Sequence, residues 1–88
     1  MKAFHLTVSS PDGNKFDGDV VKFDVRGVEG ELAIMAGHVP FVTAVVECDC
    51  KIELNDEEES ERAAHINGGI LTVSKNSVTL LTGSFEWK

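Results

Sequence analysis

Short runs of alternating apolar and polar residues, each closed by a turn signal, dominate this sequence. Phe4, Leu6 and Val8 alternate with polar residues, and Phe23 and Val25 do so again, with the period of a half-buried strand. No window of the sequence sustains the spacing of an amphipathic helix. Short strands divided by turns every ~8–12 residues are typical of a β-sandwich or a β-barrel. The sequence therefore predicts an all-β fold.

Turn and loop signals separate these runs. The Pro-Asp-Gly sequence at 11–13 predicts a turn, because it combines a fixed φ angle, a side-chain acceptor and a free φ angle. The polar residues 55–60 predict a hairpin connection with a solvated cluster of acids. The two glycines at 68–69 predict a bulge or a close approach of two backbones. The β-branched run 41–46 predicts a strand that is covered on both faces.

The length and charge of the chain limit its possible functions. Its 88 residues suffice for one domain, 1–88, with little room for a large internal cavity. The net charge of −7 disfavours nucleic acid and anionic membrane surfaces as partners, because both need clustered lysine and arginine. No apolar stretch approaches the ~20 residues of a membrane helix, and the N-terminus lacks the apolar segment of a signal peptide. We therefore expect a cytosolic chain.

Cysteine and histidine are too sparse to indicate a metal centre. Cys48 and Cys50 flank Asp49 and share one face of a strand. They could form a strained bridge or half of a metal site, but reduced thiols in a reducing compartment are the simpler interpretation. The sequence contains three histidines: His5, His38 and His65. They lie far apart without zinc-site spacing, so we expect no metal and no cofactor.

The densest group of candidate site residues lies at 27–40, where glycines, a proline and charged side chains surround few apolar residues. Gly27 and Gly30 permit backbone angles that other residues avoid, so the chain between them can turn sharply. Strand alternation predicts two inward side chains, Leu32 and Ile34, and three outward ones, Glu31, Ala33 and Met35. The segment therefore presents charge and a histidine ring to the outside of the domain.

The functional side chains of this segment allow several interpretations. Glu29 and Glu31 could form a carboxylate pair for acid–base chemistry, but catalysis also needs a pocket and a partner base. Two solvated loop acids are the simpler interpretation of the residues themselves. A phosphate-loop interpretation of Gly27 and Gly30 fails, because no Lys-Ser/Thr pair or helix start follows them. His38 could be a metal ligand, a general base or an interface residue, and we favour the interface; a nearby acid such as Glu31 would modulate its charge.

Three separated motifs carry a resemblance to a known family. GVEGELAIMAGHVP, with FHLTVSSPDG before it and INGGILTV after it, resembles the N-terminal domain of the epsilon subunit of F-type ATP synthases. The motifs occur in the family's order and the resemblance covers nearly the whole chain. It implies a flattened β-sandwich of two mostly antiparallel sheets with about eight to ten short strands, whereas periodicity alone does not separate a sandwich from a barrel.

The resemblance also implies a function. An epsilon-type domain is a non-catalytic rotor subunit of the central stalk, wedged between the shaft subunit gamma and the foot of the membrane ion ring. Ring rotation would then pass through gamma to the catalytic head, with this chain peripheral on the cytoplasmic face of the energy-transducing membrane. We expect gamma and the ring subunits as partners, with Glu31 as a docking carboxylate. The expected interface residues are Glu29, Gly30, Glu31, Met35, His38 and Val39.

Family members commonly continue into a C-terminal helical hairpin, and this sequence ends where the hairpin would begin. We expect either a naturally short subunit or an excised domain, without hairpin-based inhibition and without nucleotide binding. The alternative function is a free-standing β-sandwich adaptor that binds a protein loop or a glycan. The absence of tyrosine and the single tryptophan disfavour a glycan site.

Overall fold

The computed structural model describes residues 2–55 and 60–88, which form ten β-strands and no helix. The strands are β1 (Phe4–Ser10), β2 (Gly13–Val20), β3 (Lys22–Gly27), β4 (Gly30–Ile34), β5 (Phe41–Val45), β6 (Cys48–Glu53), β7 (Glu61–Ile66), β8 (Gly69–Val73), β9 (Ser77–Thr82) and β10 (Phe85–Trp87). The predicted all-β fold is confirmed.

The strands form two layers that share one continuous pairing pattern. The β3 layer has the order β4-β3-β6-β7-β10, and the β8 layer has the order β5-β8-β9-β1-β2. The layers join where Gly27 of β3 pairs with Val45 of β5. Among the described strands every pairing except the parallel β1–β9 pair is antiparallel. This is a mostly antiparallel sandwich with overall dimensions of 30 × 27 × 24 Å.

One hydrophobic core lies between the layers, and every strand contributes to it. Phe23 of the β3 layer and Leu6 and Leu80 of the β8 layer are completely buried. Strand alternation explains this, because every second side chain points to the same face. At the outer edges the layers also meet through aromatic rings, since Phe16 of β2 and Trp87 of β10 have ring centroids 6.1 Å apart. The sandwich is thus tied together at both edges.

The close backbone approach predicted at 68–69 is confirmed. Gly69 has φ = +152°, and a Cβ atom placed on it would lie 2.0 Å from the carbonyl oxygen of Leu81. Glycine is required there because both the backbone angle and the space exclude a side chain. The turn predicted at 11–13 is also confirmed, since it connects the paired strands β1 and β2.

The predicted hairpin connection at 55–60 is partly visible. β6 and β7 are consecutive and antiparallel, and the Ser60 hydroxyl donates a hydrogen bond of 2.8 Å to the Asn55 carbonyl oxygen. The acids predicted to be solvated there, Asp56, Glu57, Glu58 and Glu59, lie outside the described residues. The hairpin itself therefore forms as expected.

The prediction that strand 41–46 is covered on both faces is wrong. β5 packs on the core through Val45, which is 5% exposed, whereas Val42 points outward and is 66% exposed. β-branched residues favour any half-buried pleated surface, so a continuous run of them does not require a second cover. The outer face of β5 is therefore an open apolar surface.

Candidate functional site

The turn between β3 and β4 presents an acidic tip. Val28 and Glu29 form the two-residue connection, and Val28 is 60% exposed. Glu31 lies opposite Arg26, whose Nη2 donates a hydrogen bond of 3.2 Å to Glu31 Oε1. Glu29 forms no ion pair with any residue in the described ranges. The hairpin tip, residues 27–31, therefore carries one free carboxylate and one that is partly neutralised.

The other end of β4 leads into the 35–40 loop. Gly37 has φ = +86°, a left-handed conformation that lets the chain reverse before β5. Met35 and Val39 are exposed by 44% and 78%. The inward and outward directions predicted for the residues of β4 are confirmed, since Ile34 is buried and Leu32 is half-buried. The loop thus offers two apolar side chains beside a reversal of the backbone.

His38 contacts the main chain on both sides of its ring. Its Nδ1 lies 2.6 Å from the carbonyl oxygen of Met35, and its Nε2 lies 2.5 Å from the carbonyl oxygen of Ser74. The ring stands edge-on to Phe4, with centroids 5.5 Å apart at 89°. Both nitrogens are therefore engaged within the chain.

The six predicted interface residues fall into two groups at opposite ends of β4. Glu29, Gly30 and Glu31 lie at the hairpin tip, whereas Met35, His38 and Val39 lie in the 35–40 loop. A five-residue strand spans about 17 Å, so Glu31 and His38 are not brought together. Glu31 instead meets Arg26.

A groove of about 390 Å³ runs beside the tip. It lies between β4 and β5, and its walls include Glu29 and Glu31 on one side and Phe41 and Val42 on the other. The groove joins acidic and apolar surface in one depression. Such a combination suits a partner that brings both a basic group and an apolar group.

The outer face of the β8 layer carries rows of uncharged side chains. In one row Ala44 of β5 pairs with Ile70 of β8, which pairs with Leu81 of β9. Ile70 and Leu81 are 46% and 54% exposed. The adjacent row consists of Val42, Thr72 and Thr79. These residues form the apolar face, defined as the outward side chains of β5, β8 and β9.

The outer face of the β3 layer is charged instead. His65 lies between two carboxylates, with Nδ1 2.8 Å from Asp49 Oδ1 and Nε2 3.0 Å from Glu47 Oε2. The hydrogen bond to Asp49, and then that to Glu47, raises the pKa of His65. Lys88 donates a bond of 2.8 Å to Asp49 Oδ2, and this ammonium, followed by His65, lowers the pKa of Asp49.

A second histidine is held in the same way on β1. His5 bonds Asp19 through Nδ1 at 3.2 Å and Asp17 through Nε2. Its pKa is raised, first by the bond to Asp19 and then by the bond to Asp17. Neither histidine has an unoccupied ring nitrogen, and across 2–55 and 60–88 no group of three metal-ligating side chains is arranged to hold an ion.

The cysteines are free thiols on the inner side of β6. Cys50 is completely buried and Cys48 is half-buried. Burial, and then the neighbouring Cys48, raises the pKa of Cys50 to about 12, so this thiol is a poor nucleophile. The interpretation of reduced thiols fits this geometry.

Comparison with known proteins identifies the family. Residues 3–88 match the family described as ATP synthase, Delta/Epsilon chain, beta-sandwich domain. The chain belongs to this family.

Two curated relatives are similar to the family member described here. The sodium ion specific ATP synthase epsilon chain of Acetobacterium woodii is 35% identical over 86 residues, which cover 98% of this chain and 63% of the relative. The ATP synthase epsilon chain of Ruminococcus albus is 36% identical over 88 residues, which cover 99% of this chain and 63% of the relative. The chain thus spans less than two thirds of the length of these relatives.

Solved structures share the fold. A chain in the Euglena gracilis mitochondrial ATP synthase has a TM-score of 0.88 at 22% identity, with 97% of this chain and 53% of that chain covered. A chain in the central stalk/c-ring structure of the Tetrahymena thermophila enzyme has a TM-score of 0.77 at 13% identity, with 92% and 63% covered. In the described ranges no helix has the length and apolarity needed to cross a bilayer.

The apolar face is the part of this family member that the sequence reasoning missed. The missed signal is local: Ile70-Leu71 and Leu80-Leu81 each place two large apolar residues in succession on a strand. Since successive side chains point to opposite faces, one member of each pair must point away from the core. Such pairs predict an apolar outer face even without a structure.

Proposed function

We propose that this chain is a non-catalytic rotor subunit in the central stalk of an F-type ATP synthase, on the cytoplasmic face of the energy-transducing membrane. It would couple rotation of the membrane ion ring through gamma to ATP synthesis in the catalytic head. Family membership supports the assembly. The exposed apolar face is the observation that carries the role, because a chain that acts alone has no need to keep this face uncovered.

The apolar face suits a lasting contact with the shaft subunit gamma. A stable interface buries about 800 Å² on each partner, which is roughly 15% of the 5200 Å² surface of this chain. Val42, Ile70 and Leu81 provide neighbouring apolar contacts without a charge in their rows. Uncharged interface centres are typical of stable assemblies.

The hairpin tip suits the foot of the ring. Glu29 is free to accept hydrogen bonds from basic or polar groups, and Glu31 lies beside it with Arg26 as its internal partner. Exposed charges of this kind fix orientation and specificity more than they add affinity. Met35 and Val39, at the far end of β4, extend the proposed contact, with His38 behind them.

A subunit that transmits rotation must also be rigid. The two layers enclose one core and are joined at one edge by backbone bonds of 3.1 Å between Val28 N and Ala44 O and between Val46 N and Arg26 O. At the other edge the Phe16–Trp87 ring contact closes the sandwich. Close-packed interiors transmit strain instead of absorbing it.

The test is co-elution with gamma on size exclusion, followed by assembly with the membrane ring. We expect the native chain to co-elute with gamma and Val42→Asp to abolish co-elution, since the new carboxylate would be buried without a partner. Ala33→Asp is the matched control, because it adds the same charge to an exposed outward position of the β3 layer. Glu31→Arg should weaken assembly with the ring while co-elution with gamma is kept.

If the native chain does not associate with gamma, the rotor function is wrong. The adaptor function then takes first place. Equal losses for Val42→Asp and Ala33→Asp would instead show that the apolar face is not the contact surface.

A further inference from the structure

His38 joins elements from both layers of the sandwich. Met35, whose carbonyl oxygen lies 2.6 Å from Nδ1, directly follows β4 of the β3 layer. Ser74, whose carbonyl oxygen lies 2.5 Å from Nε2, directly follows β8 of the β8 layer. The edge-on contact with Phe4 of β1 adds a third element. The ring therefore sits where three segments of the chain meet.

The chemistry of these contacts fixes what the ring can do. A carbonyl oxygen only accepts hydrogen bonds, so a hydrogen bond in either contact uses a ring N–H as the donor. Both ring nitrogens lie within hydrogen-bond distance of a main-chain carbonyl oxygen. The ring therefore faces the main chain on both sides, and neither nitrogen is left open for a partner protein.

The residues on either side of His38 are the exposed ones. Met35 and Val39 are 44% and 78% exposed. The histidine between them is half-buried, and its ring faces the main chain. Gly37 supplies the left-handed conformation that turns the chain at this point. The loop thus points two apolar side chains outward and one histidine inward.

We propose that His38 is a positioning residue that fixes the 35–40 loop to the turn between β8 and β9. It thereby sets the place at which Met35 and Val39 are presented to a partner. The identity of that partner, the foot of the ring, rests on the proposed function. The fixation of the loop does not.

The first test removes the ring from the full chain. In His38→Ala we expect the backbone amide NMR signals of Met35, Val39 and Ser74 to shift, and the loop amides to exchange with deuterium roughly tenfold faster. Binding to the gamma–ring assembly should weaken several-fold, since an unfixed loop must be ordered on binding. His65→Ala is the matched control, because it removes the same side chain from the outer face of the β3 layer and should leave the loop signals unchanged.

Two conservative variants separate the two contacts. The amide of His38→Asn places a donor at the Nδ1 position, and the longer His38→Gln places a donor at the Nε2 position. Because the Ser74 contact links the two layers, we expect glutamine to restore slow exchange in the loop more fully than asparagine. These variants also keep the test decisive if the alanine variant fails to fold.

Two results would overturn the proposal. Unchanged loop signals and exchange rates in His38→Ala would show that the ring fixes nothing. Weaker partner binding with an unchanged loop would show that the ring contacts the partner directly. A native chain that binds neither gamma nor the ring would instead refute the proposed function, while the NMR and exchange results would still decide the role of His38.

Discussion

The outer faces of the two layers have the same backbone architecture and opposite chemistry. The β3 layer exposes charged groups in contact with one another, such as His65, Asp49 and Lys88. The middle of the β8 layer exposes Ile70 and Leu81 in an uncharged row. Both layers cover the same core through alternate residues. Burial of the core therefore does not determine the chemistry of the outer faces.

The difference indicates which outer face is suited to contact with solvent. Charged side chains paired at the surface contribute little stability but keep a sheet soluble. An exposed apolar row contributes little to the isolated fold and is typical of a surface that a partner covers. The outer face of the β8 layer is thus the proposed assembly side, whereas the paired charges on the outer face of the β3 layer suit contact with water.

The largest effect should come from breaking the β8 layer at its tightest point. Gly69→Ala places a Cβ atom 2.0 Å from the Leu81 carbonyl oxygen, so we expect a loss of more than about 4 kcal/mol in the free energy of unfolding, and a largely unfolded chain. Gly13→Ala is the control, because its Cβ meets no atom within 4 Å and only backbone strain of about 1–3 kcal/mol remains. Urea unfolding measures both; similar losses would contradict the close approach.

A second comparison uses two successive leucines of β9 that point to opposite faces. Leu80 is completely buried and Leu81 is 54% exposed. Leu80→Ala should lower the free energy of unfolding by about 2–5 kcal/mol, and Leu81→Ala by no more than about 0.5 kcal/mol. For co-elution with gamma we expect the reverse order among folded variants. If Leu81→Ala left gamma binding intact, the apolar face would lose its proposed role.

The histidine–carboxylate clusters should produce a smaller effect that depends on pH. The folded-state pKa of His65 and of His5 is raised above the unfolded value of about 6.5. The contribution of the two protonated histidines to the stability of the folded chain is therefore complete below about pH 6.5. It is lost as the pH rises through the folded pKa values. Thermal unfolding midpoints of the native chain should fall across this window, and the double variant His5→Ala/His65→Ala should show a flatter profile.

Asp49 contributes with the opposite sign. Its pKa is lowered in the folded chain, chiefly by Lys88, so its stabilisation is present above the unfolded value and is lost as the pH falls through the folded pKa. Lys88→Ala should therefore flatten the acid side of the profile. An unchanged acid side would contradict the ion pair.

The smallest predicted difference concerns the alkylation rates of the two thiols of β6. Iodoacetamide should label the half-buried Cys48 faster than the buried Cys50. The reason is that burial raises the pKa of the Cys50 thiol to about 12. In urea both should react alike, because burial is lost. Mass spectrometry of the labelled peptides measures the ratio. Equal rates in the native chain would place Cys50 outside the core.

The sequence alone determined the fold class, the family resemblance, and which side chains of the alternating strands point toward the core. Alternation at Phe4, Leu6 and Val8 specifies an inner face because a strand has a side-chain period of two. The glycines at 68–69 specify a close approach because only glycine tolerates it. These properties are local or periodic, so they can be deduced without knowing which strands are neighbours.

Only the tertiary structure decided what lies next to what. The β-branched run at 41–46 predicted two covered faces, yet Val42 is exposed because no third layer of residues 2–55 and 60–88 packs on β5. Glu31 and His38 are close in sequence, but β4 separates them in the structure. Glu31 pairs with Arg26, and His38 contacts the carbonyl oxygen of Ser74. The sequence did not predict either partner. Ser74 lies 36 residues from His38 along the chain. A contact over such a distance depends on how the whole chain packs, and no local pattern encodes it.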